Sequence, residues 1–172
     1  MSMALSSQDM LDLVRRLPIP IPWDRDAFVQ SVADMRGRPI TLIPSETALL
    51  GDSLCGLWLA RDDDDLILHE RGTSDYHIDQ IVCHEIGHML LGHRSGIHRE
   101  TGGGLGESAW RQALPNVAPE SVRAVLGRKD FGEDFGGEQE REAEMFASLL
   151  MIATEEKTHQ RSMIRRVFFS RR

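Results

Sequence analysis

His84-Glu85-Ile86-Gly87-His88 is the stretch from which the rest of the chain is read. Two histidines four residues apart on a helix lie one turn apart on nearly the same face, so their imidazoles can converge on one tetrahedral ion. Glu85 is turned by roughly 100° from His84. It can therefore flank such an ion without binding it and take a proton from a water that the ion activates. Ile78, Ile81, Val82, Ile86, Met89 and Leu90 recur at helical spacing around the motif, which predicts a partly buried helix from Asp75 to His93. Gly92 supplies its stop signal. Gly87 costs a helix interior about 1 kcal/mol relative to alanine; without a side chain it leaves room for a metal, a substrate backbone or a packed helix.

Further out, Ser7 to Leu17 reads as a first helix capped near Ser6 or Ser7, and Pro18-Ile19-Pro20-Ile21-Pro22 as an extended link. Asp24 or Asp26 starts a second helix that carries Phe28, Val32 and Met35 and ends at Gly37. Ile40 to Ile43 reads as a strand. Leu54 to Leu59 and Leu66 to Leu68 read as two more, joined around Asp62 to Asp65. The aspartate run lacks the glycine and the later glutamate of a calcium loop, so it reads as a charged hairpin tip. A free edge on this hairpin beside the metal helix would let an extended peptide pair with it. Residues 94–118, rich in glycine, read as a loop, Glu120 to Leu126 as a short helix, and Glu138 to Ile152 as the last strong helix. The expected fold is α+β, with a small, mostly antiparallel sheet packed on the histidine-bearing helix.

At 172 residues the chain reads as a single globular unit, and its 41% hydrophobic and 27% charged residues are ordinary for a soluble protein. No apolar run approaches the roughly 20 residues of a membrane span. Asp9, Asp12, Arg15 and Arg16 interrupt the N-terminal segment, which lacks a signal-peptide core. Cys55 and Cys83 give no disulfide framework, and Cys83 reads as a buried structural thiol. The expected location is cytoplasmic, with no membrane partner. A net charge of −7 argues against direct nucleic-acid binding. The basic tail (Lys157, Arg161, Arg165, Arg166, Arg171 and Arg172) reads as the solvated face of a C-terminal helix whose Met163, Ile164, Val167 and Phe168 dock on the core.

Catalytic zinc needs a third protein ligand and an open position. On a continuous helix His93 would fall on the far side from His84 and His88, so it reads as a C-terminal histidine near the helix dipole. Glu140 precedes Ala143, Ala147 and Leu150 by three, seven and ten residues, which places it at the head of the small-residue stripe of the last helix. A carboxylate facing a core needs a cation. Glu144, one turn on, is the candidate to orient a ligand, while Glu138 and Glu142 suit an acidic first turn. Pattern alone leaves Glu142 and Glu144 open as ligands.

H-E-I-G-H, followed about fifty residues later by E-R-E-A-E-M-F-A-S-L-L-M, resembles the ImmA/IrrE metallopeptidase family, whose members show H-E-[LI]-G-H and then E-x-E-A-[ND]-x-F-A-x-x-L-L-M-P. Glu144 stands where the family has Asn or Asp, and Ile152 where it has proline. The likeness spans residues 25–152. It implies a zincin-like fold and one zinc per chain on His84, His88 and Glu140, with Glu85 as the catalytic base. It also implies an endopeptidase that cuts a partner transcription repressor of helix-turn-helix type. Residues 1–24 then form an N-terminal helix and link, 25–155 the peptidase domain, and 156–172 a basic tail or helix. Tyr76 and His77 are candidates to support the oxyanion. The alternative is a zinc-containing regulatory or toxin-side module that binds a partner regulator without cleaving it.

Overall fold

The computed structural model describes residues 5–46, 56–93, 114–117, 122–126 and 136–169. In chain order the elements are α1 (Ser7–Arg16), α2 (Arg25–Arg36), β1 (Ile40–Ser45), β2 (Gly56–Arg61), β3 (Asp65–Glu70), α3 (Asp75–Leu91), β4 (Val122–Leu126) and α4 (Gly136–Phe169). This is an α+β arrangement around a small mixed sheet of order β1-β3-β2-β4. β1 runs parallel to β3, and β2 runs antiparallel to both β3 and β4.

Local chemistry sets the ends of the helices. The Ser6 hydroxyl caps α1 by accepting from the Asp9 amide, and the Asp24 carboxylate caps α2 by accepting from the Ala27 amide. Gly37 closes α2 at φ 65°, in the left-handed region that glycine enters without penalty. Phe28 and Val32 of α2 are buried as expected, but Met35 is half-exposed.

Alternation along β2 and β3 splits the apolar residues between two faces. Trp58 and Ile67 join Met10, Val14, Phe28, Val82, Ile86, Phe146 and Leu150 in the main core between sheet and helices. Leu57, Leu59, Leu66 and Leu68 turn the other way and pack with Leu114. Both faces of the sheet are therefore covered, which is why these strands read as continuous apolar runs rather than alternating ones. α3 lies on β2 and β3 and packs along α4, and α1 packs on α4 from the side. At the start of α2, Trp23 Nε1 and Arg25 Nε donate to the two oxygens of Asp79 at 2.8 and 2.6 Å, pinning α3 one turn before the motif.

Four expectations are corrected. Glu120 to Leu126 contains a strand, β4, in place of a short helix; backbone pairing with β2, Trp58 opposite Leu126, prevails over local helix propensity. The β2–β3 hairpin has no free edge, because β1 covers one side and β4 the other. Only the turn is an acidic tip, since Asp65 belongs to β3 and is fully buried. It accepts from Trp58 Nε1 at 3.0 Å and pairs with Arg36 and Arg38, each at 3.3 Å. Finally, α4 continues unbroken to Phe169, and Met163 on it is 58% exposed rather than docked. The side chains of Ile164, Val167 and Phe168, most of the 94–118 loop, and Cys55 lie outside the described residues. Among the described residues no helix is long and apolar enough to cross a membrane.

Candidate metal centre

α3 begins at the Ser74 cap, whose hydroxyl accepts from the His77 amide, and carries His84, Glu85 and His88 on its C-terminal half. Gly87 is what lets α4 come close to this segment. A Cβ there would stand 2.9 Å from Phe146 Cδ1 and 3.3 Å from both Cα and O of Ala143. Of the three uses open to that glycine, the packed helix is the one realised. Glu140, one turn before Ala143 on α4, is thereby delivered to the two histidines.

His84 Nε2 lies 3.1 Å from His88 Nε2 and 3.2 Å from Glu140 Oε2, and His88 Nε2 lies 3.3 Å from Glu140 Oε1. One ligand atom from each of the three residues falls within 4.8 Å of the others, a group that could hold a metal ion. Tetrahedral bonds of about 2.0–2.1 Å require ligand atoms about 3.3 Å apart, close to the spacing found here. The His88 side chain is 2% exposed, that of Glu140 17% and that of His84 24%, so the group is reached from the His84 side. Burial pushes the Glu140 carboxyl up, but the His84 and His88 rings beside it outweigh this and hold it well below the usual carboxylate range. Burial lowers the His88 imidazole, despite the nearby Glu140 carboxylate. Both shifts favour the deprotonated forms that bind metal.

Glu85 stays out of the cluster and is buried beneath β2. The neighbouring Trp58 backbone N–H favours its ionised form, while Oε2 is buried with no hydrogen-bond partner among the described residues. Gly56 makes this approach possible, since a Cβ there would stand 2.9 Å from Glu85 Oε1 and collide with Ile81. Burial, chiefly, raises the Glu85 carboxyl to about 8; the charge of His84 opposes the shift and that of Glu140 adds to it. An orphaned carboxylate oxygen near two imidazoles and a second carboxylate is a donor set that accommodates a divalent cation and a water.

His93 and Glu142 have a part that the sequence reading did not give them. The left-handed turn at Gly92, φ 68°, ends the helix, and the His93 amide folds back onto the His88 carbonyl at 3.0 Å. The His93 ring then meets His88, Nδ1 to Nδ1, at 2.9 Å, and its Nε2 meets Glu142 Oε2 at 2.9 Å. His93 is therefore not a free C-terminal histidine on the far side, and Glu142 is more than an acidic first turn. Glu144, expected to orient a ligand, is exposed. Gly92 was legible as the stop, but its consequence was not, because a helical wheel does not extend past the residue that stops the helix.

Tyr76 is half-exposed in the first turn of α3, and eight residues of helix place it about 12 Å along the axis from His84. His77 pairs with Glu70 at 3.6 Å. Neither joins the cluster. Cys83 is buried among apolar residues, and this burial raises its thiol far above the ordinary range, as suits a structural cysteine. Comparison of the chain with protein-family models, curated proteins and solved structures gave no match.

Proposed function

We propose that this protein is a zinc-dependent endopeptidase of the zincin-like type, acting on a partner transcription repressor of the helix-turn-helix kind. The observation that carries the reading is the division of labour among four side chains. His84, His88 and Glu140 converge at ligand spacing, and Glu85 lies apart, buried, with Oε2 lacking a hydrogen-bond partner among the described residues. A binding module would need only the first three.

Zinc is the ion of choice for two imidazoles and a carboxylate with one position left open, and there it supplies a Lewis acid that polarises the scissile carbonyl and acidifies a water. The chain's own residues do the rest. Glu85 Oε2 accepts the proton of the attacking water and hands it to the leaving amine. Its raised carboxyl suits the second half of that cycle, and a bound cation would lower it toward the ionised form that the first half needs. Access from the His84 side fits a chain-like substrate, and β4, the edge strand beside β2 among the described residues, is placed to offer backbone groups to an extended peptide. The substrate class rests on the resemblance of the two motifs to the ImmA/IrrE peptidases.

N-terminal proteomics of host cells that express wild type or Glu85→Gln tests the reading. New N-termini within a helix-turn-helix repressor, present only with wild type, are expected. Identical sets of N-termini from a zinc-loaded wild type and the variant would refute it.

A further inference from the structure

His88, His93, Glu142 and the Leu5 amide form one chain of contacts that leads from the cluster to the N-terminus of the described chain. Leu5 N–H donates to Glu142 Oε1 at 2.9 Å, so that oxygen is an acceptor. The other, Oε2, is 2.9 Å from His93 Nε2. A carboxylate oxygen can only accept there, so the proton lies on His93 Nε2. In the neutral ring that is the one N–H, so the Nδ1 of the buried His93 presents a lone pair. That lone pair faces His88 Nδ1 at 2.9 Å, which must then be the donor. His88, neutral in turn, is left with a bare Nε2, the atom aimed at His84 and Glu140.

We infer that His93 and Glu142 are positioning residues that lock His88 in the tautomer and orientation needed to bind a metal, with the Leu5 amide anchoring the far end. The arrangement differs from the common pairing of a ligand histidine with a carboxylate in that a second histidine is interposed. Three elements are tied together by it: the segment before α1, the turn after α3 and the first turns of α4. His88 is also the most deeply buried of the three candidate ligands, so it has no water to select its tautomer for it. The inference rests on the metal-binding half of the proposed function and not on the peptidase half.

The test has two readouts, neither of them activity. Long-range 1H–15N spectra of the metal-free protein with labelled histidine should place the proton of His88 on Nδ1 and that of His93 on Nε2 in wild type. Glu142→Ala and His93→Phe should lose that single tautomer at His88. In chelator competition the same variants should bind zinc about 10–100-fold more weakly, and the double variant no more weakly than His93→Phe, because Glu142 acts through His93. Glu142→Gln, whose carbonyl can still accept, should recover most of the loss. Should His93→Phe fail to fold, the two Glu142 variants still decide the matter. A proton on His88 Nε2 in wild type, zinc affinities within twofold of wild type, or additive losses would overturn the relay. Wild type with the expected tautomers but no zinc uptake would overturn the inference through the metal reading beneath it.

Discussion

Gly87→Ala sets two effects of known sign against each other. On an exposed helix the change stabilises by about 1 kcal/mol through helix propensity alone. Here the new methyl would sit 2.9 Å from the ring of Phe146 and 3.3 Å from two backbone atoms of Ala143. Phe146 is fully buried, so its ring has no free space to swing into, and the Ala143 atoms can retreat only if α4 moves as a body. Overpacking of this kind costs about 1–3 kcal/mol. The balance is a loss of about 1 kcal/mol, which for a chain of this length lowers Tm by about 2–4 °C. Zinc binding should suffer more than stability, since displacing α4 carries Glu140 away from both histidines. Thermal melts of the metal-free protein and chelator competition measure the two effects separately. A Tm that rises by about 2–4 °C with unchanged zinc affinity, as an exposed helical glycine would give, would refute the close approach of α3 and α4.

Glu85→Gln removes a carboxyl that burial holds up at about 8 in the folded, metal-free chain, against an ordinary 4.5. Between those values the folded state keeps a proton that the unfolded state has released. The stability from this group is thus complete below 4.5 and lost as pH rises through 8. Gln has no such proton to lose, so Tm of the metal-free variant should gain on wild type as pH is raised across that interval; parallel Tm–pH profiles would contradict it. Asp65→Ala strips a fully buried carboxylate from Trp58, Arg36 and Arg38. Both guanidinium groups retain some exposure, so the cost falls below that of a wholly buried pair, at about 2–3 kcal/mol. A fall in Tm of about 4–12 °C is expected, and a melt within a degree or so of wild type would show that Asp65 does not brace the sheet.

What the sequence made legible was chiefly what is local. The caps at Ser6, Asp24 and Gly92, the glycine stop at Gly37, and the helix bearing His84 and His88 all follow from interactions within a few residues. Glu140 could be singled out because it shares a stripe with Ala143, Ala147 and Leu150, three positions that pack into the core. What escaped depends on distant partners. Whether Val122–Leu126 is strand or helix is decided by β2, about sixty residues earlier. Asp65 looked like the last member of an acidic turn because nothing local announces that Arg36, Arg38 and Trp58 surround it. Between Glu142 and Glu144 the choice turned on His93, whose ring reaches His88 only because the chain reverses at Gly92. A periodic pattern says which face a residue occupies, but not which loop folds back to meet that face.

The central claim is that His84, His88 and Glu140 hold a zinc ion, and elemental analysis of the purified protein tests it most directly. The account predicts about one zinc per chain in wild type, lost in Glu140→Ala and kept in Glu144→Ala, whose side chain is exposed. Zinc retained in Glu140→Ala, or none in metal-supplemented wild type, would contradict it.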